Sequence, residues 1–440
     1  MTRRIALISE HASPLAVLGG VDAGGQNVYV AQVARHLAAM GDKVDVYTRR
    51  DDASLPIVVD CSPDLRVINV PAGPPEPIAK EQLLRYMPEF LRWMLRDWVG
   101  NGRRYDIVHA NFFMSGQVAA GLRDALGVPF VVTFHALGKV RRLHQGADDA
   151  FPPERESIET AVAAAADRVI AECPQDEDDL IRLYGADPSR ITIVPCGFDP
   201  DEFSPREKAT VRRALGIAAG ERVILQLGRI VRRKGIDTVI EALGRLRHVY
   251  HEPARLLIVG GPDRIATRYR DEELARLMDL ADTLGVDDQV TFVGRRDRAE
   301  LADYYAAADV FVSTPWYEPF GITPLEVMAC GTPVIGSNVG GIKYSVRDGE
   351  TGFLVPPRDP DALADRLAHL LGDRRLLQAF GANGLARVRR SFTWRHVATA
   401  LSDVYEDVLT ERRVRIATAI ESTSGARTSR TTPQQVAPVR

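Results

Sequence analysis

Cysteine is scarce in this sequence, with four among 440 residues. Cys61, Cys173, Cys196 and Cys330 lie far apart and form no Cys-x-x-Cys pair. The sequence therefore predicts neither a disulfide framework nor a cysteine zinc site, and we expect the thiols to be reduced and mostly buried.

Long hydrophobic runs are also missing. No uncharged apolar stretch approaches the ~18 residues that a membrane-spanning helix needs. The apolar run that starts at Ile5 ends after about five residues, too short for a signal peptide. We expect a cytoplasmic protein without integral membrane association.

An excess of either charge is absent as well, since 56 lysines and arginines face 59 aspartates and glutamates, a net charge of −3. This balance gives no extended basic field, and we expect no nucleic-acid partner. Hydrophobic residues at 45% and charged residues at 26% are typical of a folded globular chain. At ~150 residues per domain, the length predicts roughly two to three domains.

Short β-branched segments alternate with amphipathic stretches along most of the chain. The predicted strands are 5–9, 44–47, 65–70, 107–110, 129–134, 169–171, 191–194, 223–227, 256–260, 290–293, 310–313 and 333–337. Apolar periodicity predicts helices at 26–40 and 235–250. This alternation predicts parallel sheets with helices on both faces.

A turn-rich segment from Pro195 to Pro205 divides the chain, and we interpret it as a linker. It separates an N-terminal domain, residues 1–198, from a C-terminal domain, residues 205–390. Thr393 is a candidate N-cap for a last helix over 394–409, within a segment of residues 391–412. Residues 413–440 are rich in Ser, Thr, Arg and Pro, and we expect them to be disordered.

Ligands of open α/β sheets bind beyond the carboxyl ends of the strands, so the loops there form the candidate site. The first such loop, Gly19–Asn27, places Gly24 and Gly25 just before a predicted helix. Bare amides at a helix start suit an anionic ligand, although a glycine turn without a ligand is an alternative. No such loop has the Gly-x-Gly-x-x-Gly spacing, which argues against a nicotinamide dehydrogenase.

The C-terminal domain has a basic loop after its first strand. Arg229, which follows a glycine, offers a planar guanidinium for two phosphate oxygens, and Lys234 offers a mobile ammonium. Together they suit a pyrophosphate. The alternative is that basic residues only solvate a surface turn, which is what we expect of Arg232 and Arg233.

Two carboxylates follow the predicted strand at 310–313. Thr323-Pro324-Leu325-Glu326 matches a capping box, so we predict that a helix begins there and points its amides at residues 320–322. Glu326 either only caps that helix or also serves a ligand. Glu318 has no capping duty and suits sugar hydroxyls, unless it is only a solvated surface residue.

Other candidate residues carry weaker signals. His135 follows the strand 129–134 and so lies at the predicted cleft, where packing and catalysis are equally plausible roles. The Asp-Pro-Asp segments at 199–201 and 359–361 predict helix starts. We therefore expect no metal site.

Taken together, these motifs resemble the retaining nucleotide-sugar glycosyltransferases of family 4. The resemblance covers about residues 3–410 and rests on Gly24-Gly25-Gln26, the Gly-Arg and Lys-Gly pairs of the basic loop, Glu318 with Glu326, and Gly340-Gly341. It implies an α/β GT-B fold, in which two Rossmann-like domains face each other and the last helix crosses back to the N-terminal domain. It also implies a nucleotide-sugar donor, with a UDP-sugar the favoured candidate, and a small polyol or sugar acceptor.

The resemblance implies roles for individual residues. The implied donor contacts are Arg229 and Lys234 at the diphosphate, Glu326 at the ribose, Arg296 beside the base, Glu318 with the amides near Phe320 and Gly321 at the transferred sugar, His135 near its 6-hydroxyl, and the loop of Gly24 and Gly25. As the bond to phosphate stretches, fixed cations stabilise the growing negative charge. No protein nucleophile is obvious, so we expect front-face attack, with the departing phosphate oxygen taking the acceptor's proton. Neither a cofactor nor a metal is then required.

Two subfamilies compete for the acceptor. In the D-inositol-3-phosphate glycosyltransferases a lysine, an arginine and two hydroxyls hold the acceptor phosphate. Here Lys80 and Arg155 would supply the cations, while Phe112 and Ala136 replace the hydroxyls. Asn27 belongs to the same acceptor-binding region.

The segments 22–26 and 135–137 instead resemble the sucrose and sucrose-phosphate synthases, whose acceptor is fructose or its phosphate. The identity and phosphorylation of the acceptor stay open. A non-catalytic sugar-nucleotide-binding protein is a further alternative, as is an epimerase, which would need more acid/base residues than His135. Whether the chain forms a homodimer also stays open.

Overall fold

Two β-sheets with helices on both faces form the centres of two domains. The computed structural model describes residues 2–16, 24–261 and 271–428, with side chains described up to residue 418. The predicted glycine loop is therefore described from Gly24 onward, and residues 19–23 and 429–440 lie outside the described residues.

The N-terminal sheet is parallel except at one edge. Its strands are β1 (Arg4–Ile8), β2 (Lys43–Arg49), β3 (Val58–Ser62), β4 (Leu65–Val70), β5 (Ile107–Asn111), β6 (Phe130–Thr133), β7 (Arg168–Ala171) and β8 (Ile191–Ile193). They lie in the order β3-β4-β2-β1-β5-β6-β7-β8, and the edge strand β3 runs antiparallel to β4. The centre of the sheet is buried on both faces, as the apolar runs predict.

The C-terminal sheet is parallel throughout. Its strands are β9 (Val223–Leu227), β10 (Arg255–Val259), β11 (Val290–Gly294), β12 (Val310–Ser313), β13 (Val334–Ser337) and β14 (Gly352–Val355). Their order is β11-β10-β9-β12-β13-β14, so the chain reverses direction across the sheet at β9 and β12. Such a switch point opens a crevice beyond the carboxyl ends of the strands.

Helices connect the strands and cover both sheets. In the N-terminal domain they are α1 (Gly25–Ala39), α2 (Met87–Gly100), α3 (Phe113–Leu126), α4 (Gly138–Gln145), α5 (Glu154–Ala165) and α6 (Pro174–Tyr184). Those after the linker are α7 (Lys208–Ala214), α8 (Ile236–His248), α9 (Glu272–Thr283), α10 (Arg298–Ala307), α11 (Ile322–Ala329), α12 (Gly340–Ser345), α13 (Pro360–Gly372), α14 (Arg374–Ser391) and α15 (Trp394–Thr428). No helix in the described part of the chain is long and apolar enough to span a membrane.

The chain crosses between the domains twice, and the two crossings pair with each other. The amide of Phe198 donates to the carbonyl of Phe392 at 2.8 Å, and the amide of Trp394 donates to the carbonyl of Phe198 at 3.1 Å. Helix α15 then packs on the N-terminal domain, where the Tyr405 hydroxyl lies 2.7 Å from His109 Nδ1. The predicted pair of facing domains with a crossing helix is confirmed.

Some elements differ from the predictions. The sequence does not predict β3, because this edge strand is partly exposed and lacks a regular alternation of apolar residues, nor the short β14. Helix α15 runs to Thr428, past its predicted end near Leu409 and into the segment expected to be disordered. The first of these extra turns contact the N-terminal domain, since Arg412 donates to the carbonyl of Gly127 and Glu411 pairs with Arg168. A further pair along the helix joins Arg415 to Glu411. As expected, all four thiols are free and only Cys61 is exposed.

Candidate active site

The carboxyl ends of the two sheets border two adjoining cavities. The larger cavity, of about 320 Å³, lies on the C-terminal domain and is lined by the ends of β9 and β10, the basic loop and α11. The smaller cavity, of about 190 Å³, lies on the N-terminal domain and is lined by residues that follow β1, β5 and β6. The residues that line both, which we term the common wall, are Gly24, Gly25, Arg229, Arg233 and Glu318.

An ion pair between Lys234 and Glu318 stands at the common wall. Lys234 Nζ donates to Glu318 Oε2, and the two side chains are 21% and 14% exposed. Gly235 brings the lysine into place, because it adopts a positive φ of 64° and a Cβ there would collide with the carbonyl of Thr314.

The surrounding charges keep Glu318 ionised. Burial acts to raise its pKa, but attraction to Lys234 and to two nearby guanidinium groups outweighs burial, and the pKa of Glu318 lies below its usual value. Burial lowers the pKa of Lys234 more than Glu318 raises it, and the same guanidinium groups add to the lowering. The two arginines of the wall and the adjacent Lys234 thus surround one carboxylate.

Arg233 corrects the prediction of a solvated surface residue. Its guanidinium carbon lies 5.4 Å above the ring of Tyr317, and its buried Nη1 has no hydrogen-bond partner among the residues described. Arg229 is exposed and lines both cavities. A one-turn helix at Arg232–Lys234 turns Arg233 inward, and nothing in the sequence pattern signals that turn.

Glu326 does not cap α11, so the predicted capping box is wrong. The helix starts at Ile322 and its N-cap is Gly321, whose positive φ of 87° turns the chain into the helix earlier than expected. Glu326 is therefore too far along the helix to reach the N-terminal amides. Its carboxylate instead accepts from the Tyr305 hydroxyl at 2.9 Å and pairs with Arg298 at 2.9 Å.

The remaining predicted donor residues lie only in part at the larger cavity. Arg296 lines it, and its Nε donates to the Tyr304 hydroxyl at 3.0 Å. The Phe320 side chain is buried, and the cavity is lined by Ile322 rather than by Phe320 or Gly321.

The glycine pair Gly340-Gly341 lets the start of α12 approach this loop. A Cβ at Gly340 would collide with the carbonyl of Glu318, and one at Gly341 would collide with the backbone of Phe320. This close approach fixes the backbone that carries Glu318.

The ring of His135 is already fully engaged. Its Nδ1 lies 2.9 Å from Glu172 Oε1 and its Nε2 lies 3.0 Å from Asn111 Oδ1. The ring of Tyr29 packs edge-on against it at 4.7 Å. His135 lines the smaller cavity with a positive φ of 58°, but its ring offers no unbonded nitrogen to a ligand.

Arg155 is buried at the end of the smaller cavity. Its Nε donates to Glu159 at 2.7 Å, and its guanidinium stacks near Phe112 and Phe151 at 4.9 and 4.4 Å. Its Nη1 is buried without a hydrogen-bond partner in the described part of the chain. A planar cation with an unused donor suits an anionic group in the cavity.

The other predicted acceptor residues differ in their availability. Lys80 lines the smaller cavity. Asn27 lines it too, but its side chain is occupied with the glycine loop, since Oδ1 accepts from the amide of Gly24 at 2.9 Å and Nδ2 donates to the carbonyl of Ser13 at 3.0 Å.

Sequence reasoning missed several residues of the smaller cavity. Arg141 faces it from α4 and is held by Asp149 at 2.9 Å. His11 faces it from the loop after β1 and is bonded to the buried Glu10 at 2.7 Å. A basic helix and a histidine just after a strand are weak signals on their own, and only the fold brings them to one cavity.

Known proteins share this architecture over most of the chain. A family model described as Glycosyltransferase Family 4 matches residues 23–202, and one described as Glycosyl transferases group 1 matches residues 207–387. The chain is 38% identical over 420 residues to D-inositol 3-phosphate glycosyltransferase 2 of Catenulispora acidiphila, covering 94% of this chain and 97% of that one. This chain belongs to glycosyltransferase family 4.

Two further relatives fit the same assignment. D-inositol 3-phosphate glycosyltransferase of Acidothermus cellulolyticus is 38% identical over 416 residues, which cover 93% of this chain and 92% of the relative. Sucrose-phosphate synthase from Thermosynechococcus elongatus superposes with a TM-score of 0.84 at 37% identity, covering 93% of this chain and 100% of that one. The chain is thus an enzyme, a glycosyltransferase with a GT-B fold.

In a family 4 glycosyltransferase, the geometry of the common wall has a direct chemical use. The common wall lies between the larger and the smaller cavity, and its charged side chains are two arginines and one glutamate. Arginine and lysine suit phosphate oxygens, and a carboxylate suits sugar hydroxyls. The arrangement therefore suits a sugar phosphate.

Proposed function

We propose that this enzyme transfers a hexosyl group from a UDP-sugar, with retention of configuration, to a small phosphorylated polyol or sugar. The observation that carries the proposal is the common wall, where Arg229, Arg233 and Glu318 line both cavities. A donor in the larger cavity and an acceptor in the smaller one would meet there. A cytoplasmic location fits a donor of this kind.

The donor's charges have partners in the larger cavity. Arg229 and Lys234 would bind the diphosphate, and Lys234 can do so with N–H bonds that Glu318 does not use. Glu318 Oε1 would accept from hydroxyls of the hexose. Glu326, held by Arg298 and Tyr305, would bind the ribose hydroxyls.

Bond breaking moves negative charge onto the diphosphate, next to the fixed cations of the wall. Because these cations are already in place, they stabilise the transition state more than the ground state. The carboxylates that line the described cavities, Glu318 and Glu326, are both paired with cations, which makes them poor nucleophiles. This supports front-face attack, in which the departing phosphate oxygen accepts the acceptor's proton.

A phosphorylated acceptor fits the charge of the smaller cavity. Lys80, Arg141 and Arg155 face it, and Arg155 retains an unused donor. The names of the curated relatives favour an inositol phosphate as acceptor. The similarity to a sucrose-phosphate synthase favours fructose phosphate as a second candidate.

Release of nucleoside diphosphate tests the proposal. Purified enzyme is incubated with UDP-, GDP- and ADP-sugars and with matched acceptors, inositol 3-phosphate against inositol and fructose 6-phosphate against fructose. We expect release that depends on one phosphorylated acceptor, and we expect a UDP-sugar to be the best donor. Donor binding without turnover across the panel would instead indicate a non-catalytic binding protein.

Lys80→Met tests the proposed contact between Lys80 and the acceptor phosphate. The control is Lys43→Met, at an exposed residue of β2. Loss of one charge-assisted contact of about 1.5–3 kcal/mol should raise the KM for the phosphorylated acceptor roughly 10- to 150-fold. The KM for the same acceptor without phosphate should not change. An equal rise for both acceptors would contradict the proposed phosphate site.

A further inference from the structure

Glu10 and His11 form a buried carboxylate–imidazole pair directly after β1. Glu10 is fully buried, and its carboxylate accepts from the Ser115 hydroxyl and from His11 Nδ1, the latter at 2.7 Å. The His11 side chain is 9% exposed and packs edge-on against Phe112, with ring centroids 4.8 Å apart. The ring is thus held from two sides while it lines the smaller cavity.

The bond to Glu10 fixes the chemistry of the other ring nitrogen. A Glu10 carboxylate oxygen that accepts this hydrogen bond places a proton on Nδ1 of His11. In a neutral imidazole with that proton on Nδ1, Nε2 is an acceptor, and Nε2 makes no hydrogen bond to another described residue. This distinguishes His11 from His135, whose two nitrogens are both engaged.

Side chains that only donate outnumber the acceptors in the smaller cavity, where Gln26 and Glu318 supply side-chain oxygens. Its lysine and arginines can only donate, and the Oδ1 of Asn27 is already used. Glu318 shares one carboxylate oxygen with Lys234. Hydroxyl groups on a polyol must also donate their protons, because an unpaired buried donor is costly.

We propose that His11 Nε2 accepts a hydrogen bond from one hydroxyl of the acceptor, and that Glu10 is the positioning residue that engages Nδ1 and orients the ring. His11 thereby contributes to the choice of a hydroxylated acceptor and to its orientation at the common wall. This inference rests on the proposed function. It assigns to His11 a contact with a hydroxyl of the acceptor rather than with its phosphate.

His11→Asn tests the contact with little disturbance. The asparagine amide can still donate to Glu10, but nothing replaces Nε2. We expect the KM for the acceptor to rise about three- to tenfold, the loss of one neutral hydrogen bond, while the KM for the donor stays within about twofold. His248→Asn, in an exposed histidine bonded to the carbonyl of Leu284, is the control.

Acceptors that each lack one hydroxyl provide the decisive measurement. For the wild type, removal of the contacted hydroxyl should raise the acceptor KM, whereas in the His11→Asn variant the same removal should add no further rise. Independent, additive effects at every hydroxyl would overturn the inference. Nitrogen-15 NMR of labelled histidine, with His11→Asn to assign the signal, should show Nε2 unprotonated at neutral pH, and a protonated Nε2 would also overturn it.

The outcomes separate this inference from the function on which it rests. A wild type that is inactive with every donor and acceptor overturns the proposed function, and the inference with it. An active wild type whose His11→Asn variant keeps the same acceptor KM overturns the inference alone.

Discussion

The ion pair of Lys234 and Glu318 allows a sharp test of whether the common wall is catalytic or only structural. Lys234→Met removes the ammonium and leaves a largely buried carboxylate without its partner. Glu318→Gln removes the carboxylate and leaves the ammonium. The double variant removes both charges and leaves neither unpaired.

The expected magnitudes follow from burial and charge. Breaking a fully buried pair costs about 3–5 kcal/mol. Because Lys234 and Glu318 remain 21% and 14% exposed, we expect each single variant to lose about 2 kcal/mol of unfolding free energy. In catalysis, loss of one fixed charge at the developing diphosphate should lower kcat about 10²–10³-fold.

The double variant separates the two roles. Its unfolding free energy, measured by denaturant titration, should return to within about 1 kcal/mol of the wild type, because no charge is left unpaired. Its kcat should stay at least as low as that of either single variant. Recovery of both stability and activity in the double variant would refute the catalytic role. The pair of Lys208 and Asp309, 2.6 Å apart and outside both cavities, is the control, since Lys208→Met should change stability but not kcat.

Three further predictions concern the loop that carries Glu318, the independence of the reaction from divalent metal ions, and stability at acid pH. Gly340→Ala should lower kcat at least about tenfold, because a Cβ there collides with the carbonyl of Glu318. The control is Gly349→Ala, also at positive φ but in open space, which should change only the unfolding free energy, by about 1–2 kcal/mol. Equal losses of activity in the two variants would contradict this prediction. Removal of divalent ions with EDTA should leave the initial rate of transfer unchanged within about twofold, because Arg229 and Lys234 supply the positive charge at the diphosphate. A rate that is lost with EDTA and restored only by added Mg²⁺ would refute this prediction. Burial and the nearby His135 lower the pKa of His109 to about 3, below the usual value of about 6.5. The unfolded state therefore binds the proton more readily than the folded state. As a result, the free energy of unfolding falls as the pH drops from 6.5 towards 3. Denaturant titrations should show the wild type losing about 1.4 kcal/mol more per pH unit in that window than His109→Gln, and parallel slopes would contradict the shift.

Apolar patterns were sufficient to predict most of the fold. The buried strands at 65–70, 223–227 and 310–313 match the predicted bounds, because strands covered on both faces have continuous β-branched runs. The edge strand β3 escaped prediction since its side chains are partly exposed. The end of helix α15 could not be predicted, because the segment just after Leu409 is rich in charged residues, such as the paired Glu411 and Arg415, and has no continuous apolar face.

Motif reasoning selected loops that the fold brings together at the two cavities, but it assigned some side chains wrongly. Arg229, Lys234 and Glu318 meet at the common wall, as expected of loops at the carboxyl ends of strands. Glu326 lies inside α11 because Gly321 starts the helix earlier than the capping box suggested. His11 escaped notice because its role depends on Glu10, Ser115 and Phe112, which only the folded chain brings together.

A crystal structure with UDP and a phosphorylated polyol tests the central claim most directly. We predict that the diphosphate contacts Arg229 and Lys234 in the larger cavity, and that the acceptor phosphate contacts Arg155 in the smaller one. An acceptor hydroxyl should then lie across the common wall from the β-phosphate, within reach of Glu318. A diphosphate bound away from both cations, or an acceptor bound outside the smaller cavity, would contradict the account.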